Sequence, residues 1–152
     1  MEYSYEFFKA SADYVKSIVP YTPELAIVLG SCLGPFADTI EDPIVIDYKD
    51  IPNFLVSTVA SHAGKLIFGT VAGKKVVCMS GRFHTYEGYD FEQLVIPIRV
   101  LKLLGVKAVI LTNAAGGVNF DFKPGDFMMI TDHITSFVPS PLIGKNIDEL
   151  GV

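Results

Sequence analysis

The sequence LAIVLGSCLG, residues 25–34, joins a short apolar run to a glycine loop. The continuous apolar run predicts a strand, and Gly30 predicts that the chain leaves the sheet there. Such a loop can turn backbone N–H groups and the Ser31 hydroxyl toward one anion, because no bulky side chain blocks the approach. It lacks the GxGxxG spacing of a dinucleotide site and the lysine of a P-loop. Taken alone, a tight strand-to-helix turn explains the motif equally well.

A second apolar run has the same arrangement. VKAVILT, residues 106–112, shows no polar alternation, which predicts a strand buried on both faces. It runs into NAAGG, residues 113–117, whose small side chains let the backbone approach a ligand, although close packing of a turn explains this motif equally well. Ligands of α/β sheets gather at the carboxyl ends of strands. Two such loops therefore indicate a ligand site at one edge of the sheet.

The rest of the chain alternates helices with strands. Apolar residues at helical spacing predict a helix over residues 4–19. A second helix has Leu94, Ile98 and Leu101 on its apolar face, and Pro97 either begins it late or kinks it. The other predicted strands are residues 43–47, a hairpin over residues 66–79 that turns at Ala72-Gly73, and residues 127–134. We therefore predict one α/β domain over residues 1–152, with a largely parallel or mixed sheet.

Composition narrows the possible partners. Net charge is −5 with no basic run, which argues against a nucleic-acid partner. No apolar run approaches the roughly 20 residues that span a bilayer, and the acidic start does not read as a signal peptide. Half of the 152 residues are hydrophobic and the mean hydropathy is +0.40, which favours a subunit interface besides a buried sheet. Cys32 and Cys78 form no disulfide framework, as expected in a reducing cytoplasm.

GRFHTYEGY, residues 81–89, is the densest cluster of polar and aromatic residues. If this segment is extended, Arg82, His84 and Tyr86 point to one side. Arg82 then offers a charged donor set for a phosphate or carboxylate, and Tyr86 a phenol that can bond a hydroxyl. Glu87 can hold the orientation of the histidine. The alternative is a surface loop with an internal Arg–Glu pair.

A metal site is the competing use of these side chains. His62, His84, Cys32 and Asp132 could be imagined as ligands, but none shows HxxxH, CxxC or HxH spacing. We therefore expect no metal site. His62, in the segment SHAGK, is by itself more typical of a hydrogen-bonded surface residue than of a functional one.

Taken in order, these stretches resemble the trimeric, low-molecular-mass purine nucleoside phosphorylases. The matching segments are LGSCLG, SHAGKLIFG, GRFHTYEGY, TNAAGGVN, DHI and SPLIGKNIDELG. The resemblance implies a phosphorylase/hydrolase-like, Rossmann-related three-layer α/β fold with a mixed, partly parallel central sheet. It also implies a cytoplasmic homotrimer that needs no metal or organic cofactor.

The resemblance further implies site residues. The phosphate-binding residues would be Ser31, His62, Arg82, His84 and the backbone amide of Ala114. Tyr86 would meet the ribose, and His84 and Glu87 would be the catalytic residues. In this family inorganic phosphate attacks the anomeric carbon of a purine nucleoside with inversion, which gives ribose 1-phosphate and the free base.

Two departures from the family pattern affect these expectations. Cys32 stands at a position that is usually glycine, so its Cβ could strain a positive-φ residue. The resemblance also covers only the amino-terminal half of the family's length, and the other half carries the purine-recognising residues. We therefore expect very weak or absent phosphorolysis by this chain alone. The alternatives are a truncated phosphate-binding or assembly module, and a methylthioadenosine-type phosphorylase.

Overall fold

The computed structural model describes residues 3–56 and 64–151, which form helices and one five-stranded sheet. The strands are β1 (Leu25–Val28), β2 (Glu41–Asp47), β3 (Lys65–Val71), β4 (Lys74–Ser80) and β5 (Ala108–Leu111). The α-helices are α1 (Tyr5–Ile18), α2 (Phe91–Leu94) and α3 (Ile96–Leu103). Short 3₁₀ turns cover Gly34–Thr39, Tyr48–Asp50, Thr85–Glu87 and Asp148–Leu150.

The sheet has the order β2-β3-β4-β1-β5 and mixes two kinds of pairing. β1 pairs in parallel with β4 on one side and β5 on the other, so that Val28 lies opposite Met79 and Leu111. β2, β3 and β4 pair antiparallel. The predicted mixed, partly parallel α/β sheet is confirmed. Its register places the carboxyl ends of β4, β1 and β5 side by side at one edge.

The β3–β4 hairpin turns where the sequence predicts. Ala72 and Gly73 both have positive φ, +48° and +76°, as in the type I′ turn that matches the twist of paired strands. The hairpin matters for the site because it delivers β4 next to β1.

The first helix lies on one face of the sheet, close to its predicted bounds. Ser4 caps it by accepting a hydrogen bond from the Phe7 amide, 3.3 Å away. Phe8, Ala12 and Val15 are buried, as their helical spacing predicts. These side chains pack with α3 and with the residues of β1, β3 and β4 that face them, including Val28, Phe68 and Val77.

The second predicted helix is two helices, α2 and α3. Pro97 lies in the first turn of α3, where a missing N–H costs nothing, so it begins a later helix rather than kinking one. Ile98 was expected on the core face and is exposed instead. The buried residues of α3 are Ile96, Pro97, Val100 and Leu101, so the predicted burial of Leu101 is confirmed. None of the helices within the described ranges has the length and apolar character to span a bilayer.

The opposite face of the sheet has its own smaller core. It contains Ile27 of β1, Ile67 of β3 and Cys78 of β4. Phe36, from the 3₁₀ turn that follows the glycine loop, packs against it. Both faces of β1 and β4, two of the strands that lead to the site, are therefore buried.

Two predictions about the last part of the chain are wrong. β5 was expected to be buried on both faces, but all four of its residues are exposed, because among the described residues it is the edge strand. Residues 127–134 were expected to form a strand and form none. Their side chains are exposed, and no strand among the described residues lies alongside to pair with their backbone groups. An apolar, β-prone composition does not make a strand without a partner.

Candidate active site

Three loops leave the shared edge of β4, β1 and β5, and Thr112 links them. The Thr112 hydroxyl accepts a hydrogen bond from the Gly30 amide and donates one to the Val28 carbonyl, both at 2.8 Å. The Thr112 carbonyl accepts a hydrogen bond from Nη1 of Arg82 at 3.1 Å. The glycine loop, the GRFHTYEGY segment and the NAAGG segment therefore meet at this residue. The sequence predicts a shared edge for the glycine loop and the NAAGG segment only.

Gly30 is required at this junction by close approach. A Cβ at this position would lie 2.5 Å from the Thr112 carbonyl oxygen and 2.8 Å from Cα of Asn113. Both atoms belong to the backbone, so the collision could be relieved only by moving a loop. Gly30 thus allows the loops after β1 and β5 to lie against each other.

Arg82, His84 and Glu87 form a hydrogen-bonded series. Nε of Arg82 donates to Nε2 of His84 at 3.1 Å, and Nδ1 of His84 lies 3.1 Å from Oε1 of Glu87. Because the Arg82 N–H can only donate, Nε2 must be the accepting nitrogen and Nδ1 carries the proton that Glu87 accepts. The Glu87 carboxylate also accepts from the His84 amide at 3.0 Å. Glu87 holds the histidine ring in one orientation, as the sequence predicts.

The two ends of this series differ in exposure. The side chain of Glu87 is 1% exposed and that of His84 is 21% exposed. The carboxylate thus lies behind the imidazole, away from solvent. Arg82 is half-buried, and its hydrogen bonds to His84 and Thr112 fix the plane of the guanidinium. A guanidinium held in this way is suited to bind an anion, because little side-chain freedom remains to be lost.

Tyr86 lies against His84 but not through an extended chain. Arg82 and His84 point to the same side, as expected, while Phe83 between them is buried. The chain then enters the 3₁₀ turn Thr85–Glu87, which stacks the Tyr86 ring on the imidazole with centroids 4.6 Å apart and planes at 16°. Tyr86 remains 72% exposed, so its phenol can contact a ligand.

Sequence reasoning missed Tyr48, a buried residue that contacts the start of the GRFHTYEGY segment. Its hydroxyl donates to the Gly81 carbonyl at 2.7 Å, although the residue is buried. Burial, and to a smaller degree the nearby Cys78 thiol, raise the pKa of Tyr48 far above its ordinary value. The ring packs on Phe83 and Phe54, at 5.3 and 5.0 Å between centroids. A lone tyrosine after a strand carries no signal of this contact, which spans 33 residues.

Comparison with known proteins agrees with this arrangement. The sequence profile described as the phosphorylase superfamily matches residues 24–151. The chain belongs to that superfamily.

Within the superfamily the chain is similar to purine nucleoside phosphorylases. Purine nucleoside phosphorylase 1 of Geobacillus stearothermophilus is 54% identical over 142 residues, which cover 93% of this chain and 52% of the relative. The rat purine nucleoside phosphorylase is 43% identical over 156 residues, which cover 99% and 53%. The chain thus spans about half the length of these curated relatives.

Solved structures give the same result for the fold. A Schistosoma mansoni purine nucleoside phosphorylase in complex with acetate superposes with a TM-score of 0.89 at 45% identity, over 98% of this chain and 56% of that one. Isoform 2 from the same organism, in complex with cytosine and ribose-1-phosphate, has a TM-score of 0.87 at 45% identity, over 96% and 52%. The described residues therefore have the phosphorylase fold.

The glycine loop of this superfamily member carries a cysteine in a left-handed conformation. The Leu33 amide donates to the Gly30 carbonyl at 3.2 Å, which closes a tight turn, and Cys32 has a φ of +69° at its third position. Type II turns favour glycine there. The expectation that a Cβ at this position meets a positive φ is confirmed. Ser31, beside it, is exposed.

The other residues that the sequence suggests for the site differ in where the structure places them. Ser31 and Ala114 are exposed, and each follows closely a residue of the Gly30–Thr112 contact. His62 lies outside the described residues. Asp132, imagined as a metal ligand, is exposed in the last part of the chain. Within residues 3–56 and 64–151, no three His, Cys, Asp or Glu side chains are grouped to hold a metal ion.

Proposed function

We propose that this chain carries the phosphate site and part of the ribose site of a purine nucleoside phosphorylase. One observation carries the proposal: Arg82, held by His84 and Thr112, lies at the same sheet edge as the glycine loop. Among the described residues, those contacts use two N–H groups of Arg82 and leave its others available for an anion. The names of the similar proteins support the reaction class.

In this proposal the phosphate lies between two walls of the site. Arg82 binds it from one side, and the Ser31 hydroxyl and the Ala114 amide bind it from the other. His84 was expected to bind the phosphate directly, but its Nε2 accepts from Arg82 and its Nδ1 donates to Glu87, so in this proposal it orients the guanidinium instead. His62 contributes to the same site. Two charge-assisted walls that hold the anion in a fixed place remove much of the entropic barrier to its attack.

The chemistry follows from that placement. A phosphate oxygen forms a bond to the anomeric carbon of the ribose while the bond from that carbon to the purine nitrogen breaks. The electron pair of the broken bond leaves with the base, so positive charge develops on the sugar. The anion below the ring stabilises that charge. Tyr86 contacts the ribose, and Glu87 keeps the imidazole of His84 in the orientation that holds Arg82.

The residues that bind the purine are proposed to lie in the half of the relatives' sequence that this chain does not cover. The chain covers about half of its relatives, and β5 is an exposed edge with Leu111 70% exposed. We therefore expect very weak or absent phosphorolysis by the 152 residues alone. The complete enzyme is proposed to be a cytoplasmic homotrimer that uses no metal or organic cofactor.

The test is phosphate-dependent release of hypoxanthine from inosine. The 152-residue chain is compared with a chimera that continues into the carboxyl-terminal half of the Geobacillus stearothermophilus relative. We expect turnover by the chimera and at least a hundredfold less by the chain alone. Equal rates would show that the chain is sufficient by itself. A folded chimera that binds phosphate without turnover would favour the phosphate-binding module instead.

A further inference from the structure

We propose that Thr112 is a positioning residue of the anion site, which sets the separation between the glycine loop and Arg82. The inference rests on the proposed phosphate site and adds a residue that sequence reasoning did not select. Thr112 lies one position beyond β5, so the sheet register alone does not fix its contacts. Its side chain holds one wall of the site and its main chain holds the other.

The hydroxyl fixes the glycine loop. Because its single hydrogen is donated to the Val28 carbonyl, a lone pair is directed at the Gly30 amide. The Thr112 amide also donates to the Val28 carbonyl, at 3.1 Å. The Gly30 N–H is thereby occupied within the protein, and Ser31 is the first residue of the loop that can offer its groups to an anion.

The carbonyl fixes Arg82. It accepts from Nη1 while Nε donates to His84, so the guanidinium is held at two of its nitrogens. A displacement of Thr112 would therefore move Arg82 and the glycine loop relative to each other. Gly30 packs so closely against the Thr112 carbonyl that the two loops have no free space in which to shift.

The chemistry of the side chain can be separated from its shape. Valine has nearly the shape of threonine without the hydroxyl, so Thr112→Val leaves the Gly30 amide without its partner and keeps the backbone carbonyl for Arg82. Thr112→Ser keeps the hydroxyl and removes the methyl group. A positioning role of the hydroxyl predicts that serine rescues and valine does not.

The experiment measures phosphate binding to the 152-residue chain by isothermal titration calorimetry, together with amide hydrogen exchange at Gly30. For Thr112→Val we expect about tenfold weaker phosphate binding and faster exchange at Gly30, since a part-buried donor loses its partner. For Thr112→Ser we expect binding within about threefold of the original chain. Thr70→Val is the matched control. Within the described residues, the side-chain bond of the Thr70 hydroxyl is the one it accepts from Nζ of Lys75 at 2.9 Å, and Thr70 lies on β3. It should change neither readout.

The outcomes separate this inference from the proposed function. Phosphate binding by Thr112→Val equal to that of the original chain would overturn the inference, as would equal weakening by valine and serine. Unchanged Gly30 exchange in Thr112→Val would also overturn it. If the original chain binds no phosphate, the proposed function fails, and the positioning role fails with it. If Thr112→Val does not fold, Thr112→Ala replaces it with the same expected results.

Discussion

Cys32 shows how a single residue can conflict with the turn that contains it. Its φ of +69° lies in the left-handed region, which disfavours any side chain and which the glycine usual at this place would occupy freely. The resemblance to the phosphorylase family implied this conflict, because Cys32 stands at a position that is usually glycine in that family.

Replacing Cys32 by glycine is expected to stabilise the protein. The left-handed conformation costs a side chain about 1–2 kcal/mol, and the greater freedom of glycine in the unfolded chain offsets part of this. We expect Cys32→Gly to raise the free energy of unfolding by about 0.5–1 kcal/mol, measured by urea denaturation. Cys32→Ala is the control and should leave it nearly unchanged. A glycine variant no more stable than the alanine variant would contradict the account of strain.

The sequence predicts only some of the contacts between the side chains of the site. The grouping of Arg82, His84 and Glu87 could be predicted, since the three lie within six residues of sequence. The contacts of Thr112 could not be predicted, because its partners are far away in sequence. Arg82 is separated from it by 30 positions and Gly30 by 82 positions. Such contacts follow from strand order, which local pattern does not specify.

Among the elements, β4 connects the buried core with the site. Cys78 of this strand belongs to the smaller core, and the strand ends just before the GRFHTYEGY segment. Burial raises the pKa of the Cys78 thiol from its ordinary value of 9.0 to about 11. The folded protein thus favours the neutral thiol.

This shift predicts a loss of stability at alkaline pH. The unfolded thiol ionises near pH 9, whereas the folded one stays protonated up to about pH 11. The unfolded state therefore binds fewer protons between these values, and the free energy of unfolding falls as pH rises through them. Cys78→Val should show a smaller fall than the original chain over this range, measured by urea denaturation at each pH. Identical pH profiles for the two proteins would contradict a buried neutral thiol.

The regular elements were predicted well where a local pattern determines them. The buried face of α1 and the Ala72-Gly73 hairpin follow from residue spacing and turn chemistry alone. The burial of β5 and the strand at residues 127–134 were predicted wrongly, because both depend on neighbours rather than on their own composition. Pairing is a property of the sheet, not of one segment.

At the scale of the whole molecule, the residues before β5 form the buried core, whereas most described residues after β5 are exposed. The helical side buries its core under α1 and α3. The part of the chain after β5 exposes large apolar residues, among them Phe127, Phe137 and Leu142. This distribution agrees with the proposal that the chain carries the phosphate-binding residues, while the purine-binding residues belong to the half of the relatives that it does not cover.

We propose that Arg82 is the main phosphate ligand of this chain. Isothermal titration with inorganic phosphate tests it most directly, with Arg82→Met compared against Lys107→Met. Lys107 is exposed and lies at the amino end of β5, the opposite edge of the sheet from the site. We expect Arg82→Met to weaken phosphate binding at least tenfold, since it removes a charge-assisted donor, and Lys107→Met to leave it within twofold. Equal phosphate affinity of Arg82→Met and the original chain would contradict the account.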